Sequence, residues 1–231
     1  MLVAMSALST NVGHGSFGAA RYVDLFHNDQ LLSSIGATVA ISAIAGTLGA
    51  LAAITFVTAC YFRQKLYVAV AMSLIAAIIP GEVTALGFLR LQSALGFTRS
   101  SFLILIWALA HYSGAFCALL MAYVSFRTDS SVLRSARDIG GSDLSVVLLF
   151  LFKLHGRSVF AIVFAGILLC AIEFPRTSML SGSTEFLSTY FVGQLRSGTE
   201  SSTFALAGLT VIVYSVLGVA ALLALQKRGS V

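Results

Sequence analysis

The sequence predicts an all-α polytopic membrane helix bundle of about five spans, carrying one polar docking loop on its cytoplasmic side. Three observations lead there. Of 231 residues, 58% are hydrophobic and only 10% are charged, where a soluble domain carries about 25% charged residues. The apolar residues gather in runs of about 20, the length a helix needs to cross the hydrocarbon core. One stretch, Ser130 to Arg157, is polar and charged, so it must face water or another protein, because lipid cannot satisfy its charges and free backbone groups.

In chain order the candidate spans are Leu31 to Phe62, Leu66 to Leu91, Phe102 to Phe126, Ser158 to Phe174 and Thr203 to Leu225. They divide the chain into an extracytoplasmic or interfacial segment, residues 1–30, and one transmembrane domain, residues 31–231. Met1 to Ser9 lacks the basic leader and the hydrophobic length of a signal peptide. The chain has room for five or six spans and none for a soluble catalytic domain.

The first span is rich in small residues, Ser34, Gly36, Ala37, Ser42, Ala45, Gly46, Gly49 and Ala50, several at helical spacing. Such faces let helix backbones approach closely where lipid removes the hydrophobic drive between helices. The second span is interrupted by Ile79-Pro-Gly-Glu82, which removes a backbone donor, adds a flexible residue and brings a carboxylate into the apolar run. A kink with Pro80 and Gly81 as its hinge is expected. Between the fourth and fifth spans, Pro175 to Ser202 reads as an outer loop with a short helix, Phe186 to Leu195, on or partly within the membrane.

Alternation of five spans puts Arg63, Lys65, Arg127, Arg134, Arg137, Lys153, Arg157, Lys227 and Arg228 on one side, against Arg21, Arg90, Arg99, Arg176 and Arg196 on the other. The positive-inside rule makes the first side cytoplasmic, with the amino terminus outside and the carboxyl terminus inside. The basic residues sit at the ends of apolar runs and form no stripe, so topology explains them and nucleic-acid binding is excluded.

Chemistry-bearing residues are few. Cys60, Cys117 and Cys170 lie in apolar runs with no Cys-x-x-Cys or His at ligand spacing and read as buried thiols, leaving no metal site. His111-Tyr-Ser-Gly114 lacks the Gly two residues before the serine, and no second membrane His stands in an obvious partner position, as an intramembrane serine protease needs. No Gly-rich phosphate loop is present, so any nucleotide is hydrolysed by a partner. Intramembrane carboxylates are functional candidates by default. Glu82 either lines a pathway, pairs with Arg90 or pins the kink; Glu173 either lines a pathway or is solvated or paired beside Pro175 and Arg176; His111 is either a hydrogen-bonded bundle residue or a pathway residue.

In the polar insert, Ser130 and Ser131 can cap a short helix through about Asp138, Gly140-Gly141 breaks it, and Ser142 or Asp143 can cap a second helix from Leu144 to Leu154. Helix, glycine break and helix make a compact knob. Small Ala136 admits a partner surface, and Arg134 and Arg137 offer it charge.

Arg134-Ser-Ala-Arg-Asp-Ile-Gly-Gly-Ser142 resembles the Glu-Ala-Ala-x-Asp-Leu-Gly-Ala-Ser loop of binding-protein-dependent ABC importer permeases, the segment that docks into a groove on the ATPase subunit. Ala136, Asp138, Gly140 and Ser142 match in place. Arg134 stands where the family has Glu, and Lys153 where a Pro usually closes the loop. Tyr22-Val-Asp-Leu-Phe-His-Asn-Asp-Gln-Leu-Leu-Ser-Ser34, Ile79 to Leu86, Ile172-Glu-Phe-Pro-Arg-Thr177 and Gly193 to Gly198 are similar to the second permease of spermidine/putrescine-type importers, strings partly shared by iron, phosphonate and thiamine importers. Ile172 stands where the polyamine type is often acidic.

The resemblance implies a non-enzymatic permease subunit of a bacterial inner membrane, with a second permease subunit, two ATPase subunits that bind ATP and Mg, and an external solute-binding protein. Arg134, Ala136, Asp138, Gly140 and Ser142 are its expected ATPase-coupling positions, and no cofactor is expected in this chain. Family members usually carry a further helix before the segment matching Tyr22, where this sequence has residues 1–21. A membrane scaffold or assembly subunit without a pathway is the other reading.

Overall fold

The computed structural model describes residues 27–96, 102–128, 142–182 and 184–197, with isolated positions at Ser131, Ser135, Asp138, Thr210, Ser215, Val216, Gly218 and Val219. Every regular element among the described residues is helical: α1 Asp29–Phe62, α2 Leu66–Ile78, α3 Gly81–Ala94, α4 Phe102–Phe126, α5 Asp143–Leu148, a π-helical turn Leu149–Leu154, α6 Gly156–Ile172, α7 Pro175–Leu180 and α8 Leu187–Ser197.

Two helices, α1 and α4, are each long and apolar enough to cross a membrane. Two further pairs qualify only when joined across a bend: α2 with α3, at 91°, and Ser145–Leu154 with α6, at 76°. The described residues therefore supply two candidate spans, or up to four if each bent pair is one. The expected fifth span, Thr203 to Leu225, lies largely outside the described residues; Thr210, Ser215, Val216, Gly218 and Val219 within it are helical.

The expected kink at Pro80 is a full break. Ile79 and Pro80 are extended (ψ 124° and 144°), so the ladder of α2 ends and a new helix starts at Gly81. Proline lacks the N–H that a continuing helix needs, and at the residue before it the helical region is disfavoured.

α1 starts at Asn28, whose side chain accepts a hydrogen bond from the Leu31 N–H at 3.1 Å, a standard N-cap. With 34 residues it is about 51 Å long at 1.5 Å per residue. Its small residues do what the sequence reading expects, since Ser34, Ser42, Ala45, Gly46, Gly49 and Ala50 are buried. A Cβ at Gly46 would lie 2.5 Å from the Ile167 backbone of α6, and one at Gly49 would overlap the Ala110 carbonyl and Ser113 hydroxyl of α4. Gly166 faces the Gly46 carbonyl in turn, and Gly114 faces that of Gly49. Gly36 is the exception, with nothing nearby.

Around this crossing the three helices share a core of Ala50, Ala53, Ile54, Val57, Cys117, Ala118, Met121 and Ile162 at one end. Ala45, Leu105, Ala108, Leu109 and Cys170 fill the other. The buried thiols also tie helices together, Cys117 Sγ reaching the Ile162 carbonyl and Cys170 Sγ the Leu109 carbonyl, each at 3.5 Å. Cys60 is half-buried.

The crossing makes a direct prediction. Gly46→Val forces backbone apart and should cost at least about 1–3 kcal/mol, seen as a lower melting temperature of the detergent-solubilised chain. Gly87→Ala, on an open face of α3, should leave it unchanged or raise it.

Candidate functional site

α6 runs between two polar constellations. At its carboxyl end, Glu173 and Arg176 form a buried ion pair, with Nη1 donating to Oε1 at 2.6 Å and side chains only 7% and 3% exposed. The guanidinium also lies 4.4 Å over the Tyr112 ring of α4. Its Nε has no hydrogen-bond partner, so the ring face and one carboxylate oxygen are what hold the charge. Pro175 occupies the first turn of α7, where its missing N–H is no loss. Thr177 closes the turn by donating to the Glu173 carbonyl at 2.6 Å.

This turn docks on the break in the second helical unit. A Cβ on Gly81 would come 3.0 Å from Pro175 Cβ, 3.2 Å from Arg176 Nη1 and 3.3 Å from Glu173 Oε1. Gly81 is also the first residue of α3, so the carboxylate sits beside the positive end of that helix. Gly81 and the turn of Glu173, Pro175 and Arg176, far apart in sequence, thus form one assembly. α8 joins it to α1: the Leu187 N–H donates to Thr38 Oγ1 at 2.8 Å, and Asn28 Nδ2 donates to the Tyr190 hydroxyl at 3.2 Å.

The other candidates divide around that assembly. Glu82 is exposed in the first turn of α3 and makes no ion pair with Arg90, also exposed. Of its sequence alternatives, the Arg90 partnership is therefore not formed. Glu173 takes the paired alternative. His111 is exposed and meets the Phe88 ring edge to face at 6.2 Å, in place of the hydrogen-bonded position considered for it.

At the amino end of α6 lies the stem of the polar insert. Thr128, closing α4, bonds through Oγ1 to His155 Nε2 at 2.8 Å. The Tyr61 hydroxyl donates to the Thr128 carbonyl at 3.4 Å. Phe150 is fully buried, stacked on Tyr61 at 5.2 Å, edge-on to Phe62 at 5.8 Å and to His155 at 4.8 Å. Both ends of the insert are thus fastened to each other and to the last turn of α1.

Within the insert, Ser131, Ser135 and Asp138 are helical and exposed. Ser142 rather than Asp143 caps the returning helix, its hydroxyl accepting from the Ser145 N–H at 3.2 Å. Arg134, Ala136 and Gly140 lie outside the described residues. The returning helix is shorter than expected, because α5 passes into the π-helical turn, where the His155 N–H reaches back five residues to the Phe150 carbonyl. Lys153 is exposed on that turn. Sequence reading missed the stem, although Thr128 and His155 bracket the insert and aromatic residues recur on both sides of it.

No described group of three or more His, Cys, Asp or Glu side chains could hold a metal ion. Compared with known protein families the chain matches none, and no curated protein matches it.

The buried pair predicts an asymmetric mutational response. Arg176→Met leaves Glu173 buried without its partner and should cost about 3–5 kcal/mol, whereas Arg176→Met with Glu173→Gln should recover most of it. Thermal unfolding of the three proteins checks this.

Proposed function

We propose that this chain is the permease subunit of an ABC importer in a bacterial inner membrane, pairing with a second permease subunit, two ATPase subunits and an external solute-binding protein. The observation that carries the reading is the polar insert, residues 130–157. Its sequence resembles an ATPase-docking loop, and its stem is fastened to α1, α4 and α6 by Phe150, Thr128 and His155. A loop that only linked two spans would not need such a foundation.

On this reading Arg134, Ala136, Asp138, Gly140 and Ser142 form the contact with an ATPase, which binds ATP and Mg and does the hydrolysis. The chain itself is not an enzyme. Closure of the ATPase pair pushes on the insert, and Phe150 delivers that push to the end of α1 as well as to α6. Packed backbones transmit such displacement because they are not continuously deformable. At the far end, the break at Pro80 and Gly81 is the place where one unit can swing.

Glu82 is the best-placed pathway residue of the three candidates. Its carboxylate is exposed in an apolar surface that also presents Val83 and Leu86, so water, solute or a neighbouring subunit must meet its charge. Glu173 supports the outer mouth through Arg176, and His111 lies on the outward face of α4. The solute is polyamine-like or another small molecule; iron, phosphonate or thiamine importers are the nearest alternatives in type. Five spans, with the amino terminus outside and the carboxyl terminus in the cytoplasm, complete the topology.

Co-purification tests the reading. The chain should bring down an ATPase whose ATP use rises with loaded binding protein. Gly140→Asp and Phe150→Ala should each retain the ATPase yet lower uptake per ATP at least several-fold. A chain that recruits no ATPase would be a scaffold, and the importer reading would fall.

A further inference from the structure

We propose that the stem end of the bundle is a collar that binds anionic phospholipid headgroups. Arg63, Lys65, Arg127 and Arg157 are all exposed there, and none of the four forms an ion pair among the described residues. The stem contacts gather three of them, with Lys65 two residues beyond Arg63: Arg63 follows Tyr61 by two residues, Arg127 precedes Thr128, and Arg157 follows His155 by two, and Thr128 bonds to both Tyr61 and His155.

The surroundings of these cations select a lipid over a dissolved anion or an acidic protein. The Arg127 guanidinium rests 4.7 Å over the Tyr123 ring, with Tyr123 55% exposed and Phe152, on the π-helical turn of the stem, 67% exposed. Aromatic rings with cationic tips are suited to the level where hydrocarbon gives way to headgroups. A phospholipid with a net negative headgroup satisfies both parts at once, acyl chain against the rings and phosphate against the cations. A free anion would engage the cations alone, and an acidic protein would leave the rings at the hydrocarbon boundary unused. Among the described residues the opposite end has no such excess, since Arg176 is buried in its pair with Glu173 and exposed Arg90 and Arg196 share that end with Asp29, Glu82 and Glu185.

This collar is independent of the importer reading, because it concerns only the chain and its bilayer. The test uses the full chain reconstituted in phosphatidylcholine vesicles containing a minority of phosphatidylglycerol, then extracted and washed. Phosphatidylglycerol should be retained several-fold above its share in the vesicles, and less at high salt. Each of Arg63→Gln, Lys65→Gln, Arg127→Gln and Arg157→Gln should lower retention by about fivefold or less, and the combined variant should abolish enrichment, whereas Arg→Lys changes should keep it. If the combined variant aggregates, the single variants carry the same test. Equal enrichment in wild type and variants overturns the proposal. So does displacement of the lipid by millimolar inorganic phosphate, which would assign the cations to a dissolved anion.

Discussion

The structure depends on backbone meeting backbone where α1 crosses α4 and α6. α1 and α4 are long and apolar enough to cross a membrane, and in a bilayer, whose tails are as apolar as leucine, nothing would squeeze such helices together as water does. What remains is close contact, and Gly46 against Gly166 and Gly49 against Gly114 provide it. Larger side chains there would separate the axes and remove the dispersion contacts and weak Cα–H···O interactions that hold them. Cys117 and Cys170, each reaching a carbonyl of the facing helix, reinforce the α4 and α6 contact without needing a charge.

That crossing gives α1 the role of a common spine. At one end Asn28 and Thr38 hold α8 through Tyr190 and Leu187; at the other Tyr61 and Phe62 hold Phe150. α6, half as long, has a polar lock at each end, His155 with Thr128 and Glu173 with Arg176. The two bends differ in kind. At Pro80 the backbone ladder stops and a new helix begins, whereas at His155 a π-helical turn is followed by a change of direction, and such turns recur at functional positions. One bend is sheltered by a buried ion pair, and the other carries the polar insert.

Much of the bundle was legible in the sequence because its signals are local. Apolar run length located α1 and α4, small residues marked the buried face of α1, Pro80 marked the break, and Ser142 marked a helix start. The angle at Pro80 was not legible, because proline ends a ladder without fixing where the next helix goes; Pro175 and Arg176, nearly a hundred residues later, pack against Gly81 and set that direction. Likewise Glu173 offered two readings until folding placed it against Arg176 with Tyr112 beneath, a cation over a ring that no spacing rule announces. The stem was hidden for the same reason, since Tyr61, Thr128 and the turn carrying Phe150 and His155 belong to three separate segments.

Photo-crosslinking in native membranes tests the central claim most directly. A photoreactive residue at Ser135, helical and exposed within the insert, should capture an ATP-hydrolysing subunit, while the same group at Ser178, exposed at the opposite end, should capture none. Capture of lipid alone at Ser135, or of the same ATPase from both positions, would contradict the assignment of the insert as a docking element.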